Sequence, residues 1–336
     1  MINMNRRTFV KGLGLAAASQ LLGCRLFDFG PSNVRFGIVT DLHYANIPVS
    51  NWGEGQHHAE ALARLAKALE VFGSHNVDFV VELGDFKDLQ TGPDGKPDKE
   101  ATVARAREIE SAFAAFKGSR YHVLGNHDLD ILERDELASL WPNAAQSRHG
   151  WHYSFVRGGI RFVVLDPNHT PDGKPFSKSI QWKWQECALP KEQLDWLAKE
   201  LADSEEPVIV FSHERLDADP SVPHALRNAP AVREMLERSK KVLAVFQGHD
   251  HSGALSTVNG IPYYTLRAMC SGANANSFAE VTIFPDGRIL VAGYGKARSA
   301  ELAAKFATEE SADDPYDSFM ETSVEMPVIH SQHLAR

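Results

Sequence analysis

Five short runs in this 336-residue chain carry metal-binding side chains, and they come in a fixed order. They are Asp41-Leu42-His43, Gly84-Asp85, Gly125-Asn126-His127-Asp128, a lone His213, and Gly248-His249-Asp250-His251. Seven candidate ligands stand in them: Asp41, His43, Asp85, Asn126, His213, His249 and His251. Singly, each has an ordinary explanation. Asp41 can cap a helix after a strand, Asn126 can serve a turn, and an isolated histidine is more often a satisfied core or surface group than a ligand. Together, in this order, they read as a two-metal site for cutting phosphate esters or anhydrides. Mixed nitrogen and oxygen donors suit manganese, iron or zinc better than calcium or magnesium. Two such ions about 3.5–4 Å apart acidify a bridging water and clamp both oxygens of an in-line displacement.

The elements that must position these residues follow from apolar patterning. Residues 34–40 and 77–83 are short apolar runs that predict buried strands. Residues 59–72 and 101–116 have helical spacing, and residues 121–124 predict a third strand. The first half is thus strand, helix, strand, helix, strand, with a ligand run after each strand. That is where sites lie in α/β sheets, beyond the carboxyl ends of the strands. Residues 153–156 and 161–166 predict a hairpin around Gly158-Gly159. Residues 167–189 lack a period and predict a loop insertion. A helix over 191–201, opened by Pro190, leads to a strand over 208–211 that delivers His213. A helix over 232–236 leads to a strand over 242–246 that delivers Gly248 to His251. Short strands are expected near Ala254, Tyr263 and Ala279 and over 289–293. No internal repeat and no linker divides the chain.

The ordered runs resemble the calcineurin-like metallophosphoesterase superfamily. Its pattern is Asp-x-His, Gly-Asp-x-x-Asp, Gly-Asn-His-Asp/Glu, a lone His and Gly-His-x-His. The matches here are Asp41/His43, Gly84-Asp85-Phe86-Lys87-Asp88, Gly125-Asn126-His127-Asp128, His213 and Gly248-His249-Asp250-His251. The resemblance implies an α/β fold, a four-layer α-β-β-α sandwich of two mixed sheets, with a dinuclear site at strand C-terminal ends. It implies that Asp41, His43 and His251 hold one ion and Asn126, His213 and His249 the other. Asp85 would bridge them, with each carboxylate oxygen facing a different ion. His127 would bind the phosphate and protonate the leaving oxygen, with Asp128 orienting its imidazole and Asp88 a further supporting carboxylate. Within the superfamily, residues 41–45, 190–197 and 278–295 look most similar to the manganese-dependent ADP-ribose/CDP-alcohol diphosphatases. Cyclic-nucleotide phosphodiesterases and glycerophosphodiesterases share part of that similarity. One departure is the segment Glu214-Arg215-Leu216, which lacks the prolines common in many relatives. Arg215 and Asn228 are candidates to bind phosphate or base, although such residues more often serve the surface or a cap. His169, in the loop insertion, is a further candidate to reach substrate. His57-His58 reads as a solvent-facing helix start, and His75, His122, His149, His152, His224, His330 and His333 match no ligand run.

The expected activity is therefore hydrolysis of a phosphodiester or phosphoanhydride by a metal-bound hydroxide, on a small phosphorylated substrate of nucleotide origin. Two alternatives stay open: a phosphomonoesterase with the same site, and an exported binding protein without activity. The second needs a lost ligand or a lost acid, and neither is found. A net charge of −9 argues against a broad nucleic-acid-binding face. Residues 1–24 read as an export signal. Arg6-Arg7-Thr8-Phe9-Val10-Lys11 resembles a twin-arginine motif, and Leu21-Leu22-Gly23-Cys24 a lipobox. That places the mature chain at a bacterial envelope, touching membrane only through lipid on Cys24. The hydrolase domain is expected over 25–299, with a loosely held acidic tail over 300–336. Three cysteines are too few for a disulfide scaffold, and Cys270 reads as a buried free thiol.

Overall fold

The computed structural model describes residues 33–141, 151–177 and 184–305. Residues 1–24, expected to be an export signal, and most of the tail lie outside them. The first sheet has the order β12-β11-β10-β1-β2-β3. In it β1 (Val34–Val39), β2 (Phe79–Glu82) and β3 (Ser119–His122) run parallel. On the other side of β1, β10 (Ser277–Ile283), β11 (Ile289–Gly295) and β12 (Ala300–Leu302) continue antiparallel. The second sheet has the order β4-β5-β6-β7-β9-β8. Its parallel centre is β5 (Ile160–Val164), β6 (Val208–Ser212), β7 (Val242–Gln247) and β9 (Ile261–Thr265). Antiparallel edges come from β4 (Tyr153–Arg157) and β8 (Ala254–Val258).

Side-chain alternation along the strands creates the layers. Phe36, Ile38, Phe79 and Val81 of the first sheet meet Phe162, Val164, Ile209, Phe211 and Phe246 of the second. Phe36 sits at the centre of this apolar slab. It stacks on Phe79 with ring centroids 4.9 Å apart and meets Phe162, Phe211 and Phe246 edge-on. The opposite faces of the same strands, including Val39, Val80, Val210 and Val245, pack outward. Helices α1 (Ala61–Ser74) and α2 (Lys99–Phe113) cover the first sheet, and α4 (Lys191–Asp203) and α5 (Ala229–Ser239) the second. The two mixed sheets are those the resemblance implies, and the strand–helix–strand–helix–strand order of the first half is the one the patterning predicts.

Two elements were not legible. Helix α3 (Arg134–Leu140) has only 7 residues, too few for a period to show. It is held at its start by Glu136, whose carboxylate accepts from the Glu133 amide at 2.9 Å. Strand β12 lies beyond residue 299, where the acidic tail was expected to begin, and pairs in register with β11. No helix among the described residues is long and apolar enough to cross a membrane.

Phe36 is fully buried in the slab and has no polar role. Phe36→Ala should cost about 3–5 kcal/mol. The check is a lower urea midpoint at unchanged slope, with metal content kept.

Candidate metal centre

The five ligand runs leave the carboxyl ends of β1, β2, β3, β6 and β7, so both sheets feed one rim. Backbone bonds zip the loops together. Asp41 N donates to Gly84 O at 3.0 Å, His43 N to Asp85 O at 2.9 Å, and Gly248 N to His213 O at 3.0 Å. The approach is too close for side chains at two glycines. A Cβ on Gly84 would lie 2.3 Å from the His213 ring, and one on Gly125 would lie 2.1 Å from the Asp85 amide. Four candidate ligands take left-handed backbone, with φ of 50° at Asp41, 47° at His43, 57° at Asp85 and 66° at His249. That conformation is costly for non-glycine residues and concentrates where function requires it.

All seven candidate ligands are brought together, and most divide their atoms between support and centre. Asp41 Oδ2 accepts from Thr40 Oγ1 at 2.7 Å and His249 N at 3.1 Å. Its Oδ1 instead lies 3.3 Å from His251 Nε2 and 3.8 Å from His43 Nε2. Asp85 Oδ1 accepts from His127 N at 2.7 Å. Its Oδ2 lies 3.5 Å from His43 Nε2 and 3.2 Å from His213 Nε2. A single oxygen therefore faces both halves of the site, where one oxygen for each half was expected. His43 Nδ1 donates to Asp88 at 3.2 Å and His213 Nδ1 to Leu83 O at 2.8 Å, which turns both Nε2 atoms inward.

A cation fits these donors. Asp41 Oδ1 and Asn126 Oδ1 are buried and have no hydrogen-bond partner among the described residues. Two pairs of imidazole nitrogens approach to 3.1 Å, His43 Nε2 with His251 Nε2 and His213 Nε2 with His249 Nδ1. Lone pairs gathered this way in a buried site are costly unless a positive charge meets them. Asp41, His43 and Asp85 form one group of metal-binding geometry, and Asp85, His213 and His249 another.

The electrostatics of the protein alone show the same crowding. Burial raises the Asp41 and Asp85 carboxyls, but the facing histidines hold both well below the ordinary range. Burial opposes charge on His43, but the Asp41 carboxylate facing it and the bond to Asp88 lift it to about 9. His249 falls well below the ordinary value, through burial and the neighbouring His213 cation.

His127 lies at the mouth with its side chain one-third exposed at 32%. Its Nδ1 lies 3.2 Å from Asp88 and 2.9 Å from Asp130. Burial opposes its charge, yet Asp88, Asp85 and Asp130 raise it well above the usual histidine value. The expected role of Asp128 is corrected. Its carboxylate accepts from the amides of Gly125, Asp85, Phe86 and Lys87 at 2.8–3.2 Å, so it ties the β2 and β3 loops together. Those four donors, rather than the imidazole, use its two oxygens. Burial and the Asp85 charge push it up to about 6.

Other expectations also change. Arg215 is committed to Asp217 and, at 2.8 Å, to Asp250, so it braces the loop of His249 and His251. Asn228 closes a two-way bond with the Leu189 backbone. His169 pairs with Pro175 and does not line the site. His58 is buried rather than solvent-facing, and its Nδ1 donates to His43 O at 2.9 Å. Sequence patterning also missed Trp52 and Trp184, which line the mouth beside His251 and His249. It missed His224 too, whose ring lies 5.1 Å from that of His249. Isolated aromatic and histidine residues in loops carry no spacing signal.

Two sheets feeding a bridged cluster of aspartate and histidine donors define a dinuclear metallohydrolase architecture. The chain belongs to the calcineurin-like phosphoesterase family, which matches residues 34–253. It is 27% identical to a manganese-dependent ADP-ribose/CDP-alcohol diphosphatase of Oryza sativa subsp. japonica, over 80% of this chain and 93% of that protein. An Arabidopsis thaliana protein of the same name is 24% identical over 80% of this chain and 96% of its own length. In fold, the chain is similar to a dimetal phosphatase from Danio rerio, with a TM-score of 0.67 and 21% identity. That match covers 81% of this chain and 99% of the other.

If Asp85 Oδ2 joins both halves of the site, Asp85→Asn should lower metal content and turnover together while the fold survives. Metal analysis, turnover and circular dichroism on one preparation check this. Two retained ions with near-native turnover would remove Asp85 from the bridge.

Proposed function

We propose that this protein is a manganese-using hydrolase of small nucleotide-derived diphosphates or phosphodiesters. Asp41, His43, Asp85 and His251 would hold one ion, and Asp85, Asn126, His213 and His249 the other. The observation that carries the reading is the single inward oxygen of Asp85, set between two histidine pairs with His127 at the mouth. When bound, the ions supply Lewis-acid charge and an acidified water. The protein's own groups then position the phosphate and handle the leaving group. Asp88 and Asp130 take up the His127 Nδ1, so the proton delivered to the leaving oxygen is the one on Nε2. Named relatives aligned over nearly their whole length favour a diphosphate over a monoester. A cavity of about 240 Å³ opens beside the mouth, lined by Trp52, His224, His251 and Arg267 among others, and offers room for the rest of such a substrate.

Manganese-loaded protein should cleave ADP-ribose and a CDP-alcohol with release of nucleoside monophosphate, and bis(p-nitrophenyl) phosphate faster than p-nitrophenyl phosphate. A preference for the monoester would overturn the reading. His127→Ala should keep both ions and lower the rate roughly 10²–10⁴-fold. The loss should shrink for p-nitrophenol esters, whose leaving group needs little protonation. An equal loss on alkyl esters would exclude the acid role.

We also propose export and lipid anchoring, on the strength of Arg6-Arg7 and the Leu21–Cys24 run alone. Cys24→Ser should abolish lipid attachment, whereas Arg6→Lys with Arg7→Lys should retain folded precursor in the cytoplasm. Membrane fractionation with lipid labelling reads both. A soluble, unlabelled wild-type protein that still carries Met1 would refute the proposal.

A further inference from the structure

Cys270 lies in the segment that follows β9, and that segment is fixed from three sides. Met269 N donates to Thr40 O at 3.0 Å and Cys270 N to Asp41 O at 3.1 Å, so the thiol residue is zipped to the first ligand run. His57 N donates to Cys270 O at 2.9 Å. Buried Arg64 of α1 donates to the carbonyls of Met269 and Gly272, at 2.5 and 2.7 Å, and so clamps the segment on both sides of the cysteine. The side chain is fully buried and forms no disulfide.

The thiol faces donors as well as packing. One metal-binding atom each from His43, His251 and Cys270 lie within 4.8 Å of one another. Independently of the cysteine, Asp41 Oδ1 points to the same two imidazoles from a side chain with no exposure and has no hydrogen-bond partner among the described residues. The same two imidazoles are thus shared by the thiol and by the unpartnered Asp41 oxygen. Imidazole, carboxylate and thiolate are the donor kinds that zinc-type ions take.

We infer that Cys270 is a further ligand of the ion assigned to Asp41, His43, Asp85 and His251. The inference rests on the two-metal reading above and adds a sulfur to it. On binding, the S–H bond breaks, its proton leaves to solvent and the thiolate pair forms the bond to the cation, with no change of oxidation state. The two positions are then chemically unlike. A thiolate with imidazoles favours a thiophilic ion such as zinc or iron(II), whereas Asp85, Asn126, His213 and His249 offer nitrogen and oxygen only. The bound pair should therefore be mixed, with manganese confined to the sulfur-free position.

The test uses the full chain loaded with cobalt(II) alone. Two ions should bind, with a near-ultraviolet sulfur-to-cobalt charge-transfer band, and X-ray absorption should show a sulfur scatterer at about 2.3 Å. Cys270→Ser should lose the band and bind one ion roughly 10–100-fold more weakly, taking the loss of a supporting contact as the minimum. It should keep the second ion and the native circular dichroism. Cys187→Ser should keep the band. Two bound ions without a band or sulfur scatterer in the wild type would overturn the assignment of Cys270 and leave the two-metal reading intact, as would a band that survives in Cys270→Ser. Failure to bind any cobalt would overturn both. The wild-type absorption data decide the matter even if the serine variant does not fold.

Discussion

The structure is organised around metal-binding atoms that the protein crowds into one buried centre and does not fully satisfy. Asp41 Oδ1 and Asn126 Oδ1 have no hydrogen-bond partner among the described residues, and imidazole nitrogens face one another across 3.1 Å. In a buried setting this arrangement is unfavourable for an apo protein and favourable around cations. The strain at four ligand positions belongs to the same constraint. A strand that ends in ordinary backbone would carry its side chain past the rim. A left-handed turn at Asp41, His43, Asp85 and His249 redirects each side chain toward the shared centre. The closely packed loops at Gly84 and Gly125 let two strand ends from one sheet meet His213 from the other.

Support for this arrangement is built from the spare atoms of the ligands themselves. One oxygen of each aspartate and one nitrogen of His43 and His213 bond to protein, and the other atom is thereby aimed inward. Asp88 extends the principle, since its two oxygens serve His43 and His127. The same carboxylate therefore couples the orientation of His43 to that of His127. Asp128 and the fully buried Lys87 work at the backbone level. Asp128 gathers four amides, and the Lys87 ammonium binds the carbonyls of His127 and Asp130, the latter at 3.1 Å. Burial of a lysine is costly unless it is paired. Here its charge joins the β2 loop to the turn that carries His127.

Much of this was legible because strands buried on both faces and amphipathic helices leave strong periodic signals. The β1–α1–β2–α2–β3 order was readable from Val34, Phe36, Ile38, Leu65, Phe72, Phe79 and their spacing, and each ligand run followed a strand as expected. What escaped the sequence was direction. Gly125-Asn126-His127-Asp128 shows which side chains are present, but the short helical turn there sends Asn126 and His127 toward the centre and Asp128 into the loop amides. Spacing alone could not assign the imidazole to Asp88 and Asp130 in place of Asp128. Likewise Arg215 reads as an anion binder until Asp217 and Asp250 are seen to consume it. His58 reads as exposed until its ring is found beneath His43.

The position of Arg215 shows how far from the donors the constraint reaches. Asp250 stands between His249 and His251 in the chain, so anchoring it anchors the run that carries both imidazoles. Arg215 holds Asp250 with one nitrogen and Asp217 with two others, and Asp217 in turn accepts from Gln247 Nε2 at 2.6 Å and Ser256 Oγ at 2.6 Å. Gln247 ends β7 and Ser256 lies in β8, so this chain of bonds roots the final ligand run in the body of the second sheet. Charge-assisted bonds of this kind are geometrically demanding as well as strong. They supply what the short strand-to-loop junction lacks, a fixed orientation for His249 beside His213 and His251 beside His43.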